Sequence, residues 1–144
     1  MKIAIGSDHA GFDLKEYLLR EELGPRTDLD VTDMGTDSEQ SVDYPDFAKK
    51  VAKKVTDGEV DFGILICGTG IGMSMTANKF AGIRAVNATN SYTAKMARRH
   101  NNSNILCLGS RNLGTELAAQ ILSDWLKEDF DGGRHQRRVD KISS

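Results

Sequence analysis

Long apolar runs, a cysteine-rich pattern and a strong excess of one charge are all missing from this chain. No stretch of 18 or more apolar residues occurs, so no membrane-spanning helix is expected. The net charge is -2, and no basic stripe comparable to a phosphate-tracking surface appears before the last dozen residues, which argues against nucleic acid as a general partner. A strand pattern starts at residue 2, so no signal peptide is expected, and the 2 cysteines predict free thiols in the reducing cytoplasm.

Histidine is also scarce, and the 3 histidines stand far apart in the sequence. They form no H-x-x-x-H spacing and no cluster with cysteine, so their spacing predicts no metal site. His9 follows a strand pattern, His100 ends a helical pattern, and His135 lies in the basic tail. A histidine at a helix end is usually a capping or surface residue, so His100 has either that role or a chemical one.

The chain has the size and composition of one globular domain, with 144 residues, 39% hydrophobic and 28% charged. We therefore predict a single domain, 1–144, that ends in a basic segment, 131–144. Short apolar runs predict strands at Lys2–Gly6, Asp30–Met34, Phe62–Cys67, Ile83–Asn87 and Ile105–Gly109. Helical spacing predicts helices at Phe12–Glu22, Tyr44–Val55, from the glycines after Cys67 to Lys79, at Ser91–His100 and at Leu113–Phe130. The buried stripe of the last helix is expected to contain Leu113, Leu117, Ile121 and Trp125.

Strands that alternate with helices predict an α/β fold in three layers, a Rossmann-like five-stranded parallel sheet with helices on both faces. Ligands of such sheets bind beyond the carboxyl ends of the strands. Three segments follow predicted strands there: Ser7-Asp8-His9, Cys67–Gly72 and Gly109-Ser110-Arg111. The sequence therefore places the candidate site at this edge.

The segment Cys67–Gly72 carries three alternating glycines directly after a buried strand. Its spacing is neither the dinucleotide fingerprint, which needs G-x-G-x-x-G, nor a P-loop, because no Lys-Ser/Thr pair follows. Glycines at such a turn serve either the geometry of the turn or the approach of backbone N–H groups to an anion.

Cys67 gives this turn a chemical group, because its thiol would face the same N–H groups. Roughly a few per cent of a free thiol is ionised at neutral pH, and a helix N-terminus would raise that fraction. The thiolate could act as nucleophile, redox centre or general base. A C-x5-R phosphatase needs arginine where Met73 stands, and a C-x-x-C redox centre needs cysteine where Gly70 stands. General base remains, whereas Cys107 has no comparable surroundings and is predicted to lie in the core.

The basic tail offers a second place for an anion. Arg134, Arg137 and Arg138 stand at i, i+3 and i+4, so one helical turn would place them on one face. Guanidinium groups match phosphate oxygens well. The alternative is a solvated basic terminus.

Several motifs, taken together and in order, resemble the type B ribose-5-phosphate isomerase family. They cover nearly the whole chain and are Gly-Ser-Asp-His-Ala-Gly-Phe (6–12), Asp-Tyr-Pro-Asp (43–46), Gly-Ile-Leu-Ile-Cys-Gly-Thr-Gly-Ile-Gly-Met-Ser (63–74), Ala-Asn-Lys-Phe-Ala-Gly-Ile-Arg-Ala (77–85), Arg-His-Asn (99–101), Leu-Gly-Ser-Arg (108–111) and Gly-Gly-Arg-His-Gln-Arg-Arg-Val (132–139). The resemblance implies a flavodoxin-like fold and a homodimer with shared active sites, with a dimer of dimers left open. It also implies interconversion of ribose 5-phosphate and ribulose 5-phosphate without metal or other cofactor.

The resemblance also implies roles for individual residues. Cys67 would move the proton through a cis-enediolate, with Thr69 beside it, and His100 would be the acid that opens the furanose ring. The turn Gly68, Gly70, Ile71 and Gly72 would hold the developing oxyanion. Other implied substrate contacts are Asp8, His9, Tyr44, Asn101 and Arg111, with Arg134 and Arg138 as phosphate clamp.

Some members of the family carry serine in place of the cysteine and use a glutamate on the following helix, but residues 73–76 here contain no carboxylate. The resemblance therefore implies a cysteine base.

Two other functions stay open at this point. The same scaffold serves isomerases of allose 6-phosphate and galactose 6-phosphate, so a six-carbon substrate is the first alternative. The second is a non-catalytic module that binds a phosphometabolite.

Overall fold

The computed structural model describes residues 1–142 and contains one sheet of five parallel strands. The strands are β1 (Lys2–Ser7), β2 (Asp30–Asp33), β3 (Phe62–Cys67), β4 (Ala85–Asn87) and β5 (Ile105–Gly109). The helices are α1 (Phe12–Leu18), α2 (Tyr44–Thr56), α3 (Ile71–Ala77), α4 (Ser91–Asn101), α5 (Thr115–Lys127) and α6 (Arg134–Asp140). The last two residues of the predicted domain and of its basic segment lie outside the described residues.

Helices cover both faces of the sheet, so the predicted three-layer α/β fold is confirmed. On one face α1, α4 and α5 bury Leu18, Ala94 and Trp125 against the strands. On the other face α2 and α3 bury Val51 and Met73. Because both faces are covered, the central strands read as continuous apolar runs.

The strand order is β2-β1-β3-β5-β4. It begins like the flavodoxin order 2-1-3-4-5 and exchanges the last two strands. As a result β5, and not β4, lies beside β3, with Cys67 paired to Gly109 in the parallel register. The exchange brings the segment after β5 next to the cysteine.

Some element boundaries differ from the prediction for local reasons. Gly24 N–H donates to Leu19 O in a π-helical turn, Leu19–Leu23, that follows α1. The strand predicted from Ile83 starts at Ala85, because Arg84 N–H donates to the Asn104 side chain.

The last long helix is shorter than predicted, because the backbone is extended at Gly114 and at Glu128 (ψ 156° and 146°). Leu117 is 45% exposed, so its predicted place on the buried stripe is wrong. The stripe runs instead through Ala118, Ile121 and Trp125, each fully buried. Among residues 1–142, no helix combines the length and the apolar character that crossing a membrane requires.

Candidate active site

The three segments predicted to meet at the carboxyl edge of the sheet are joined there by hydrogen bonds. Asp8 N–H donates to Ile66 O at 3.2 Å, and Arg111 N–H donates to Gly68 O at 2.9 Å. The Ser110 hydroxyl donates to Ala10 O at 2.7 Å, which ties the segment after β5 to the one after β1. The predicted meeting of these segments is therefore confirmed.

A cavity of about 440 Å³ opens between these segments. Nine of the predicted site residues line it, namely Asp8, His9, Tyr44, Cys67, Gly68, Thr69, Ile71, Gly72 and Arg111. Ala10 and Met75 also line it and were not predicted. Met75 projects from α3 with 65% of its surface exposed, a feature that helical spacing alone did not single out.

Cys67 is the last residue of β3 and is 5% exposed. Its Sγ accepts a hydrogen bond from Gly70 N–H at 3.1 Å. The cysteine therefore stands at the wall of the cavity with a fixed dipole aimed at it.

Two glycines of this turn are required because neighbouring side chains leave no room for a Cβ. Gly70 has φ +80°, and a Cβ there would lie 2.5 Å from Asn87 Oδ1. A Cβ on Gly72 would lie 2.3 Å from the Tyr44 ring. The close approach lets Tyr44, at the start of α2, pack on the first turn of α3 and close one side of the cavity.

Cys107 lies in the core, as predicted, and is fully buried. Burial, and secondarily the nearby Cys67, raises the pKa of the Cys107 thiol far above its ordinary value. Cys107 pairs with Leu65, two residues before the Cys67–Gly109 pair. This offset separates the two cysteine Cα atoms by roughly 8 Å, beyond the reach of a disulfide. The geometry agrees with the exclusion of a redox centre.

His9 and Asp8 are held in place by the backbone. The Val42 N–H donates to His9 Nδ1 at 3.1 Å, so the neutral ring carries its proton on Nε2 and can donate from there. The Gly11 N–H donates to Asp8 Oδ1 at 3.0 Å. Both side chains thus face the cavity with a defined hydrogen-bonding role.

Four other predicted side chains lie outside this cavity. His100 and Asn101 end α4, which runs for 11 residues, about 16 Å, away from the carboxyl edge of the sheet. Arg134 and Arg138 belong to α6, which packs on α4. None of these four lines the Cys67 cavity in the described part of the chain. Asn101 lines a separate cavity of about 360 Å³ with Arg84 and Ile142.

A buried arginine fixes the end of α4. Arg98 donates to Ser103 O at 2.6 Å and to Asn102 Oδ1 at 3.1 Å. Its guanidinium lies 4.6 Å from the Phe62 ring centre and 5.8 Å from that of Trp125. Asn102 takes the left-handed conformation (φ 48°) that ends the helix. His100 and Asn101 therefore project from a rigid helix terminus.

Two residues that sequence reasoning missed surround His100. The His135 ring stacks on it with centroids 4.2 Å apart, and Asp131 Oδ2 lies 3.8 Å from His100 Nε2. The three histidines are far apart in the sequence, but the fold brings His100 and His135 into contact. Desolvation, followed by the charges of His100 and Arg134, lowers the pKa of His135. In the sequence this tail stood out only for its arginines, and no pattern predicted that it packs on α4.

Comparison with known proteins agrees with this fold and cavity. A family model described as Ribose/Galactose Isomerase matches residues 3–142. Ribose-5-phosphate isomerase B of Escherichia coli (strain K12) is 50% identical over 143 residues, covering 99% of this chain and 95% of that protein.

Solved structures give the same result. Ribose-5-phosphate isomerase B of Clostridium thermocellum superposes with a TM-score of 0.95 at 53% identity, covering 99% of this chain and 95% of the other. The enzyme of Mycoplasma genitalium, solved with bound ribulose-5-phosphate, gives a TM-score of 0.91 at 46% identity, covering 98% and 93%. The resemblance read from the motifs is confirmed, and the chain belongs to the ribose/galactose isomerase family.

Proposed function

We propose that this chain interconverts ribose 5-phosphate and ribulose 5-phosphate, with Cys67 as the base. The observation that carries the proposal is the position of Cys67 at the wall of a sugar-sized cavity, with Gly70 N–H donating to its sulfur. The names of its relatives and the ribulose-5-phosphate bound to one of them support the substrate. Free thiols fit a cytoplasmic location.

The reaction moves one proton between neighbouring carbons. The Cys67 thiolate takes the proton from C2 of the open-chain aldose, and the electron pair left behind forms the C1–C2 double bond of a cis-enediolate. Negative charge then builds on O1. The N–H groups of Gly70 and Ile71 donate to Cys67 Sγ and Thr69 Oγ1, so the other backbone N–H groups of the Gly68–Gly72 turn stabilise O1, by about 3–4 kcal/mol each. The Cys67 thiol returns its proton to C1, and the O2 proton moves to O1, which leaves the ketose.

A second copy of the chain completes the site. Opening the furanose ring needs an acid at the ring oxygen, and the role implied for His100 requires it to reach the Cys67 cavity. In one chain these residues stand at opposite edges of the sheet. A homodimer in which α4 and α6 of one subunit face the cavity of the other brings them together. Exposed apolar Ile71 and Met75 at the cavity rim offer a surface for such a contact.

In that arrangement α6 supplies the phosphate clamp. Arg134 and Arg138 are one turn apart on α6, so their guanidinium groups can meet the same phosphate. Contacts to the phosphate, remote from C1 and C2, position the reacting carbons over Cys67.

Replacing Arg138 by alanine should raise KM for ribose 5-phosphate by at least about tenfold, because one charge-assisted hydrogen bond is worth about 1.5–3 kcal/mol. The value of kcat should change less. Arg137→Ala on the same helix is the matched control, because the resemblance implies Arg134 and Arg138 but not Arg137 as phosphate contacts, and it should change KM by less than about threefold. Steady-state kinetics on both variants measures this. An unchanged KM for Arg138→Ala would refute the clamp.

A panel of ribose 5-phosphate, allose 6-phosphate and galactose 6-phosphate tests the substrate. We expect kcat/KM to be at least about tenfold higher for ribose 5-phosphate. A higher value for either hexose phosphate would assign a six-carbon substrate, which the family description includes. Tight binding of ribose 5-phosphate without turnover of any sugar would identify a non-catalytic module.

A further inference from the structure

Two imidazoles and a carboxylate meet where α6 packs on the end of α4. The ligand atoms of His100, Asp131 and His135 all lie within 4.8 Å of one another. The His100 and Asp131 side chains are 40% and 35% exposed, so solvent ions can reach them. Neither Asp131 nor His135 has a part in the proton transfer proposed above.

The backbone holds this cluster in place. Asp131 N–H donates to Arg99 O at 2.9 Å, which fixes the carboxylate beside the last turn of α4. Gly132 and Gly133 both take positive φ (68° and 57°), so the chain reverses and α6 starts at once. His135 N–H donates to Gly132 O at 3.0 Å, which sets the second imidazole against the first. A two-glycine turn thus joins two of the three side chains.

We propose that His100, Asp131 and His135 bind a divalent transition-metal ion of the zinc class. Two imidazoles, a carboxylate and a fourth position for water form a ligand set that suits tetrahedral zinc. Nitrogen donors favour zinc, cobalt or nickel over magnesium and calcium. The bound ion withdraws His100 from the substrate and so inhibits the isomerisation; this consequence, unlike the binding itself, rests on the proposed function.

The ligand atoms must come closer together to share one ion. Tetrahedral zinc with bonds of about 2.0–2.1 Å places its ligand atoms roughly 3.3 Å apart. The His100 and His135 rings are stacked within 7° of parallel, and a metal lies in the plane of each imidazole that binds it. One ring must therefore rotate about χ2, a torsion that is broad in histidine. The partial exposure of the cluster leaves room for this rotation.

Neighbouring charges set the strength of this site. Arg99 Nε lies 3.3 Å from Asp131 Oδ1, which leaves Oδ2 facing His100. Arg134 and Arg138 add positive charge on α6, so the ion is held less tightly than in a structural zinc site. Binding is therefore reversible, and a chelator removes the ion.

Cobalt(II) is the direct probe, because its visible absorption reports the ligands without any enzyme assay. We expect the wild-type protein and Cys67→Ala to give the same tetrahedral spectrum without thiolate charge-transfer absorption. His135→Asn and Asp131→Asn should weaken Co²⁺ binding by at least about tenfold. His9→Asn, the same change at the histidine outside the cluster, should bind Co²⁺ like the wild type. Equal Co²⁺ binding by His135→Asn and the wild type would overturn the proposal.

Inhibition by Zn²⁺ gives the functional readout. Each variant is compared with its own metal-free rate, with EDTA to reverse the effect and Mg²⁺ as the control ion. We expect the half-inhibiting Zn²⁺ concentration to rise at least about tenfold in His135→Asn. Inhibition of equal strength in that variant would place the inhibitory ion elsewhere and refute the regulatory part. If the protein gives the Co²⁺ spectrum but turns over no sugar phosphate, the metal site stays supported and the proposed isomerase function is refuted.

Discussion

Replacing Cys67 by alanine should lower kcat for ribose 5-phosphate by at least about 10²-fold, since a positioned base contributes 10²–10⁴-fold. Binding should persist, because the proposed phosphate and hydroxyl contacts are made by other residues. No carboxylate stands at 73–76 to replace the thiolate. Steady-state kinetics together with calorimetric titration of ribose 5-phosphate separates turnover from binding.

Cys107→Ala is the matched control, because it removes the other thiol from the same sheet. Cys107 is fully buried and lies behind the site, so this variant should lose stability while its kcat stays within a few-fold of the wild type. Near-wild-type turnover by Cys67→Ala would refute the assignment of the base. A loss of both turnover and folded structure in Cys67→Ala would show as an altered circular dichroism spectrum, and Cys67→Ser then repeats the test with a smaller change in volume.

A heterodimer of Cys67→Ala and His100→Asn should regain about half of the wild-type activity, although each variant homodimer is expected to be nearly inactive. If each site takes Cys67 from one subunit and His100 from the other, one site of the heterodimer carries both defects and the other is intact. Co-expression with two different tags and purification on both yields this species. Its kcat per dimer is the measurement.

Pairing Cys67→Ala with Arg111→Ala is the control, because Cys67 and Arg111 line one cavity of the same chain. Each site of that heterodimer carries one defect, so it should show no more than the mean of the two parents. If Cys67→Ala with His100→Asn also stays at the parental level, the two residues act within one chain and the shared site is wrong.

The sequence by itself determined the local form of the Cys67 turn. The cysteine, its glycines and the start of α3 are contiguous, and the dihedral and spacing rules that govern them are local. The phosphatase and redox alternatives fail on single positions, Met73 and Gly70, that are visible without a structure. Alternating apolar runs and helices also fixed the layer architecture, because each period reports the burial of its own segment.

Only the tertiary structure decided what meets across long stretches of chain. The placement of β5 between β3 and β4 set Arg111 beside Cys67. The periodicity of a strand does not predict its position in the sheet, so this neighbourhood was not visible in the sequence. The packing of α6 on α4 joined His135 to His100, 35 residues apart by their numbers, and set that cluster away from the Cys67 cavity. Periodicity describes one element at a time, whereas these contacts depend on how separate elements bury their apolar faces against each other.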